Sequence, residues 1–257
     1  MKNETVGALM MVKDEIDIIE HNINYLATQD LDLICVYDNN STDGTREKLS
    51  WLSDIHEELL VLNDSVVGYY QADKMNKWAN EIFQDDIDVV IPIDADEIWY
   101  SKNPYCTLGG AIRATDADIF VASSIDYIPT LMDNFGEPNF IKRMNYRKKD
   151  SNSFNAVAFN YSPEFWLEMG NHNVLNHPGD RVSDVIGIRH YQYRSFDQFR
   201  KKVSNGKKAY DATDLPEYMG SHWRKLGAMT NDELRKYWFN YCVDSVVNDP
   251  FVAKNYA

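Results

Sequence analysis

The stretch Val89-Val90-Ile91-Pro92-Ile93-Asp94-Ala95-Asp96-Glu97 decides the fold, because an apolar run of strand length stops on three carboxylates within four residues. Such a run suits a buried strand. Like charges crowded at a strand tip repel one another and lose hydration, so a positive partner belongs among them. Hard cations such as Mg2+ or Mn2+ take oxygen ligands and are commonly shared between one or two carboxylates and the phosphates of a substrate. The ordinary alternative is a strand ending in a solvated acidic turn.

Upstream, Val6 to Val12 reads as a strand, and Ile16, Ile19, Ile23 and Leu26 follow at helical spacing. Leu33 to Tyr37 makes a second strand. It is closed by Asp38-Asn39-Asn40-Ser41-Thr42-Asp43-Gly44-Thr45, a cluster of turn and capping residues that leads into a helix ending near Trp51 or Leu52. Leu59 to Leu62 is a third strand, and Met75, Trp78, Ala79 and Ile82 mark a helix ahead of the fourth. This alternation predicts an α/β fold with a Rossmann-like, mostly parallel central sheet flanked by helices. Such sheets bind ligands at the carboxyl ends of their strands. Lys13-Asp14-Glu15, Asp38, Asp94 and Asp96 all fall on that edge.

Beyond Asp118 the pattern loosens. Ile119–Ser123 reads as another strand, Asn155–Tyr161 and Val185–His190 are further strand candidates for a smaller antiparallel part, and Asp126–Pro138 reads as a long loop. Phe196, Phe199 and Val203 suggest a helix after Ser195, and Thr230 with Glu233 forms a capping box for a last helix. The expected organisation is one domain over 1–257: a nucleotide-binding half at 1–100, an acceptor-binding half at 101–210 and a C-terminal helical extension at 211–257.

The net charge of −14 argues against stable nucleic-acid binding. Residues 1–100 carry 6 Lys and Arg against 22 Asp and Glu, a balance of −16, while 101–257 carry 20 against 18, a balance of +2. An acidic half can hold a metal while Arg194, Arg200, Lys201, Lys202, Lys207 and Lys208 face phosphates from the other side; for most of these a solvated helix face is the ordinary reading. No transmembrane run or signal peptide is read, which places the chain in the cytoplasm and leaves peripheral membrane contact open. Cys35, Cys106 and Cys242 lack metal-type spacing and are expected to be buried thiols.

With these residues in place, the first half resembles the nucleotide-binding half of family 2 glycosyltransferases, which have the GT-A fold. The resemblance is to a bacterial and phage-borne subgroup, through Met11-Val12-Lys13-Asp14-Glu15, Tyr37-Asp38 with the turn to Thr45, and the Asp-Ala-Asp-Glu of 94–97. The segments Gly170–Val174 and Ile188–Ser195 look similar too. The resemblance implies transfer of a sugar from a nucleotide-diphosphate donor, foremost a UDP-sugar, to a hydroxyl of a glycan, a lipid-linked glycan or another acceptor, with inversion. It implies that Val12 and Asp14 line the base and that Asp38 contacts base or ribose. Asp94 would bind ribose or metal, and Asp96 would be the principal ligand of Mn2+ or Mg2+. Gln71 and Lys74 are placed to reach ribose or phosphate. His190 is the candidate to complete the metal site, with His172 competing, and imidazole favours Mn2+. Inversion needs a general base; Glu168 and His172 are the candidates, in the absence of a clear Glu-Asp pair. His222 and Arg224 are further candidates to approach the diphosphate. The alternatives are a catalytically inactive nucleotide-sugar-binding protein and, further off, a nucleotidyltransferase, whose glycine-rich basic loop is replaced here by Lys13-Asp14-Glu15-Ile16-Asp17.

Overall fold

The computed structural model describes residues 4–66, 68–84, 86–149, 154–243 and 245–250. The N-terminal alternation forms as β1 (Val6–Val12), α1 (Ile19–Leu26), β2 (Leu33–Asp38), α2 (Thr45–Ser53), β3 (Leu59–Asn63), α3 (Gln71–Phe83) and β4 (Val89–Asp94). Successive side chains of β1 turn to opposite faces. Val6, Ala8, Met10 and Val12 enter the core shared with α1 and α2, while Leu9 joins Met75, Trp78 and Phe83 of α3 on the other face. Parallel pairing of β1 with β2 and with β4 sets Val12 beside Asp38 and Met11 beside Asp94. The acidic strand ends therefore share one edge.

The second half contributes β5 (Glu97–Ser101), α4 (Leu108–Arg113), β6 (Ile119–Asp126), α5 (Phe140–Arg143), β7 (Tyr146–Lys148), β8 (Asn155–Asn160), β9 (Trp166–Leu167), β10 (Val174–Leu175) and β11 (Arg181–His190). The main sheet runs β3-β2-β1-β4-β8-β6-β11-β5. Only β8 and β5 oppose the common direction, so the sheet is mostly parallel with a smaller antiparallel part. The strand ending at His190 was expected in that antiparallel part; it runs parallel to β6 and antiparallel only to β5. The ordinary alternative, a solvated acidic tip, is not what forms: Glu97 opens β5, and Ile98 and Trp99 carry the chain straight back into the core.

The C-terminal part holds α6 (Phe196–Asp211), α7 (Ser221–Gly227), α8 (Asn231–Cys242) and a short β12 (Val246–Asn248) antiparallel to β7, while 251–257 of the expected helical extension lie outside the described residues. The Thr230–Glu233 capping box opens α8 as expected. These helices have their own core of Tyr193, Phe199, Val203, Leu226 and Leu234, surrounded by the partly buried aromatics Phe196, Trp223, Trp238 and Tyr241. Cys35 is buried, but Cys106 and Cys242 are only half-buried, since both lie on less enclosed peripheral segments. No helix among the described residues is long and apolar enough to cross a membrane.

Candidate functional site

One cavity opens at the carboxyl edge of the sheet, floored by the ends of β1 and β4 and roofed by α6. After β1 the backbone turns at Asp14, whose φ of 55° is left-handed, a region Asp tolerates better than most residues. Its N–H donates to Ser41 Oγ at 2.8 Å, and its Oδ1 accepts from the Thr42 N–H at 2.7 Å. Lys13 Nζ donates to the Asn39 carbonyl at 2.7 Å, so the loops after β1 and β2 are stitched together. This leaves Asp14 Oδ2 facing the roof, where it accepts from Asn205 Nδ2 at 2.8 Å.

The turn after β4 is fixed from below. Buried Asn22 of α1 donates to the carbonyls of Ala95 and Glu97 at 2.9 and 3.0 Å. Glu97 points inward and accepts from Trp99 Nε1 at 2.8 Å; burial and the nearby Asp94 carboxylate push its pKa up to about 8. Asp94 Oδ1 accepts from Gln71 Nε2 and Asn171 Nδ2, each at 3.2 Å, and burial together with Asp96 raises its pKa to about 7. Burial works against ionisation of Asp96 as well, but the facing cations Lys202 and His190 outweigh it and hold its pKa well below the usual range.

Those cations come from the second half. His190, at the end of β11, binds Asp126 Oδ1 through Nδ1 at 2.8 Å and aims Nε2 at Asp96 Oδ2, 3.7 Å away. Burial disfavours the imidazolium, yet the two carboxylates overcome this and raise its pKa to about 10. Lys202 of α6 places Nζ 2.6 Å from Asp96 Oδ2 and 2.7 Å from Glu15 Oε1. Arg194, fully buried, pairs with Glu15 and with Asp17 at 2.8 Å. Lys201 reaches Asp43 at 3.2 Å. Arg200 turns outward instead to Asp197, and Lys207 pairs with Asp211.

The cavity-facing residues of α6 are Gln198, Lys201, Lys202, Asn205, Gly206, Ala209 and Tyr210, which share one helical face. Gly206 is required there, because a Cβ would stand 2.8 Å from the Trp223 ring. Tyr69 packs on Tyr210 with ring centroids 4.9 Å apart, and with Trp223 they make an aromatic side wall.

Of the residues singled out from sequence, Val12, Asp14, Gln71, Lys74, Asp94, Asp96 and His190 line this one cavity. Lys74 is held by Asp64 at 2.5 Å and by the Val66 carbonyl. Asp38 does not reach the cavity; it is fully buried, accepts from the Ser41 N–H at 3.3 Å and faces Arg46 at 3.6 Å, so its neighbour Asn39 lines the site in its place. Glu168 and His172 are not brought into the cavity either. Their loop docks on its rim through Asn171 and through the Gly170 N–H, which donates to Gln71 Oε1 at 2.9 Å. The exposed His172 is turned to the Asn155 carbonyl, and Phe154 stands between it and His190, 5.1 and 5.2 Å from the two rings. His222 is exposed, and Arg224 is engaged with Asp211; Trp223 between them is the residue that lines the site. The sequence reading placed Glu15 on this edge without giving it a role, and it missed Asn39, Tyr69, Asn205, Tyr210 and Trp223. The spacing 198, 202, 205, 209 was the available signal for the roof.

Among the described residues, no set of three or more His, Cys, Asp or Glu side chains is arranged to hold a metal. Two donors nevertheless suit one. Asp96 Oδ2 and His190 Nε2 converge, and Asp126 grips the far nitrogen of the imidazole in the manner that orients a metal-bound histidine. Two protein ligands, with phosphate and water completing the shell, match how such cations are held beside diphosphates. The Lys202 ammonium beside the same oxygen shows that a cation is accommodated there.

No family model matches the chain, and no curated protein matches it. Among solved structures, TarS of S. aureus (residues 1–349) is similar at 14% identity and a TM-score of 0.43, over 92% of this chain and 78% of that one. The mannosyltransferase PcManGT of Pyrobaculum calidifontis, in complex with GDP-Man and Mn2+, is similar at 13% identity and a TM-score of 0.46, over 94% and 74%. Glucosyl-3-phosphoglycerate synthase of Mycobacterium tuberculosis, in complex with Mn2+ and UDP, is similar at 18% identity and 0.34, over 48% and 44%.

Proposed function

We propose that this chain is a glycosyltransferase of GT-A type that takes a nucleotide-diphosphate sugar, foremost a UDP-sugar, and transfers the sugar to an acceptor hydroxyl. The observation that carries the reading is the convergence of Asp14, Asp94, Asp96 and His190 on one cavity at the carboxyl edge of the sheet, opposite the cations of α6. An acidic floor alone would repel a diphosphate; an acidic floor faced by Lys201 and Lys202 can hold a cation and a dianion at once.

Val12, Asp14 and Asn39 frame the base, with Lys74 locked to Asp64 as the wall behind it. Asp94 is oriented by Gln71 and Asn171 to accept from ribose hydroxyls. Asp96 and His190, the latter after release of its Nε2 proton, would hold Mn2+, favoured over Mg2+ by the imidazole, with Asp126 fixing the ring. When bound, that ion supplies positive charge to the departing diphosphate. The aromatic wall of Tyr69, Tyr210 and Trp223 offers a flat surface on which a base or sugar ring can pack. Inversion requires a base on the opposite face, and Glu168 and His172, in the loop docked on the cavity rim, are the candidates for this role.

A second reading, a nucleotide-sugar-binding protein without turnover, is favoured by one observation: neither base candidate lines the cavity. Calorimetry with UDP and Mn2+, followed by hydrolysis assays over a panel of nucleotide sugars, separates the two. Binding with turnover of one donor establishes the transferase. Binding without turnover of any donor leaves the binding protein, and no binding of UDP or GDP refutes both.

A further inference from the structure

Lys202 occupies an unusual position for a lysine. Its ammonium is wedged between Asp96 Oδ2 at 2.6 Å and Glu15 Oε1 at 2.7 Å, and its side chain is only 20% exposed. The same Asp96 oxygen faces His190 Nε2. An ammonium in hydrogen-bond contact and a divalent ion in coordination distance disfavour one another on this oxygen, because like charges so close together repel strongly in a poorly screened setting. Either one neutralises the strand-end carboxylates, or the other does.

We infer that Lys202 is the resting counter-ion of Asp96 and Glu15, displaced by the divalent cation and handed over to the diphosphate that arrives with it. This rests on the reading of the site as a nucleotide-diphosphate site. The helix need not move for the exchange: Arg194 with Asp17 and Lys201 with Asp43 hold it ahead of Lys202, and Asn205 with Asp14 holds it beyond. The lysine stem is flexible enough for Nζ to leave the carboxylates while the backbone stays in place, and Lys202 already lines the cavity. The released ammonium then meets the only new negative charge in the cavity. A cation stays on the strand-end carboxylates throughout, first Lys202 and then the metal, with His190 releasing its Nε2 proton as the metal binds.

The test is calorimetry with Mn2+ alone, and then with UDP at saturating Mn2+, on the wild-type protein, Lys202→Met and Lys202→Arg. Removing the competitor and the phosphate ligand together gives opposite effects. Lys202→Met is expected to bind Mn2+ about tenfold more tightly and UDP about tenfold more weakly, the worth of one charge-assisted hydrogen bond in each direction. A merely structural lysine would weaken both. Lys202→Arg keeps the cation and is expected to bind Mn2+ no more tightly than wild type. Unchanged or weaker Mn2+ binding by a folded Lys202→Met, or tighter binding by Lys202→Arg, overturns the exchange while wild-type UDP binding upholds the functional reading. A wild-type protein that binds neither UDP nor GDP overturns both.

Discussion

The floor and the roof of the cavity are built by different physics. The floor is the end of a sheet whose strands are buried on both faces, and its carboxylates are fixed by backbone register, by the Asn22 amide and by the stitched loops after β1 and β2. The roof, α6, packs on α7 and α8 through a core of its own and meets the floor largely through charge: Arg194, Lys201, Lys202 and Asn205 against Asp17, Asp43, Asp96 and Asp14. Register cannot be adjusted without moving every side chain on a strand. Ion pairs can be exchanged one at a time. The floor therefore defines where charge must sit, and the roof is the part able to respond to a ligand.

Asp96→Asn attacks the floor and carries the largest expected effect. Metal-dependent turnover should fall by about 100-fold or more, the scale of losing one transition-state stabiliser, with the thermal midpoint little changed. Full activity in that variant would end the mechanism. Arg194→Met attacks the joint between floor and roof. It leaves buried Glu15 without one of its two cations, and stability should fall by about 3 kcal/mol, toward the lower end for breaking a buried pair. Denaturant unfolding would measure this; an unchanged midpoint would mean that the charges do not hold α6 down.

Acid offers a milder way to open the same joint. Asp17 resists ionisation through burial, but Arg194 and Lys202 outweigh this and depress its pKa below 3.8. A depressed carboxylate contributes stability that is complete above its unfolded value of about 3.9 and is lost as pH falls through the lower folded value. This pair should contribute no pH dependence between pH 5 and 7 and lose its contribution only below about pH 4, read as the difference between the wild-type protein and Asp17→Asn in unfolding followed by tryptophan fluorescence. The Asp17→Asn variant should lack that loss. Arg200→Ala, on the outward face of α6, should change stability by less than about 0.5 kcal/mol and leave UDP affinity untouched, as expected of an exposed pair. A loss of UDP affinity there would show that the inward and outward faces had been misjudged.

The floor was legible in the sequence because it obeys local rules. Apolar runs, helical spacing and turn residues locate β1 to β4 to within a residue or two, and strand ends gather on one edge once the sheet is parallel. Asp38 shows where that logic stops. Whether a residue at a strand end faces the ligand or the loop depends on the twist of the last peptide, and here the loop takes Asp38 and leaves Asn39 to the cavity. The roof was legible only as a helix with many basic residues. Both of its faces are charged, so its pattern does not say which face turns inward; that is settled by Asp14, Asp43 and Asp96, which lie far away in the chain. Glu168 and His172 failed to reach the site for a similar reason, since their loop is anchored by contacts of Asn171 and Gly170 with Asp94 and Gln71.

The missing side chain at Gly206 leaves a mark on how this molecule can diversify. Because the Trp223 indole rests where a methyl group would otherwise stand, α6 and α7 are held at close range. A larger residue at position 206 would lever the indole away from the helix and widen the chamber from above, altering which ligands fit while every carboxylate below keeps its place.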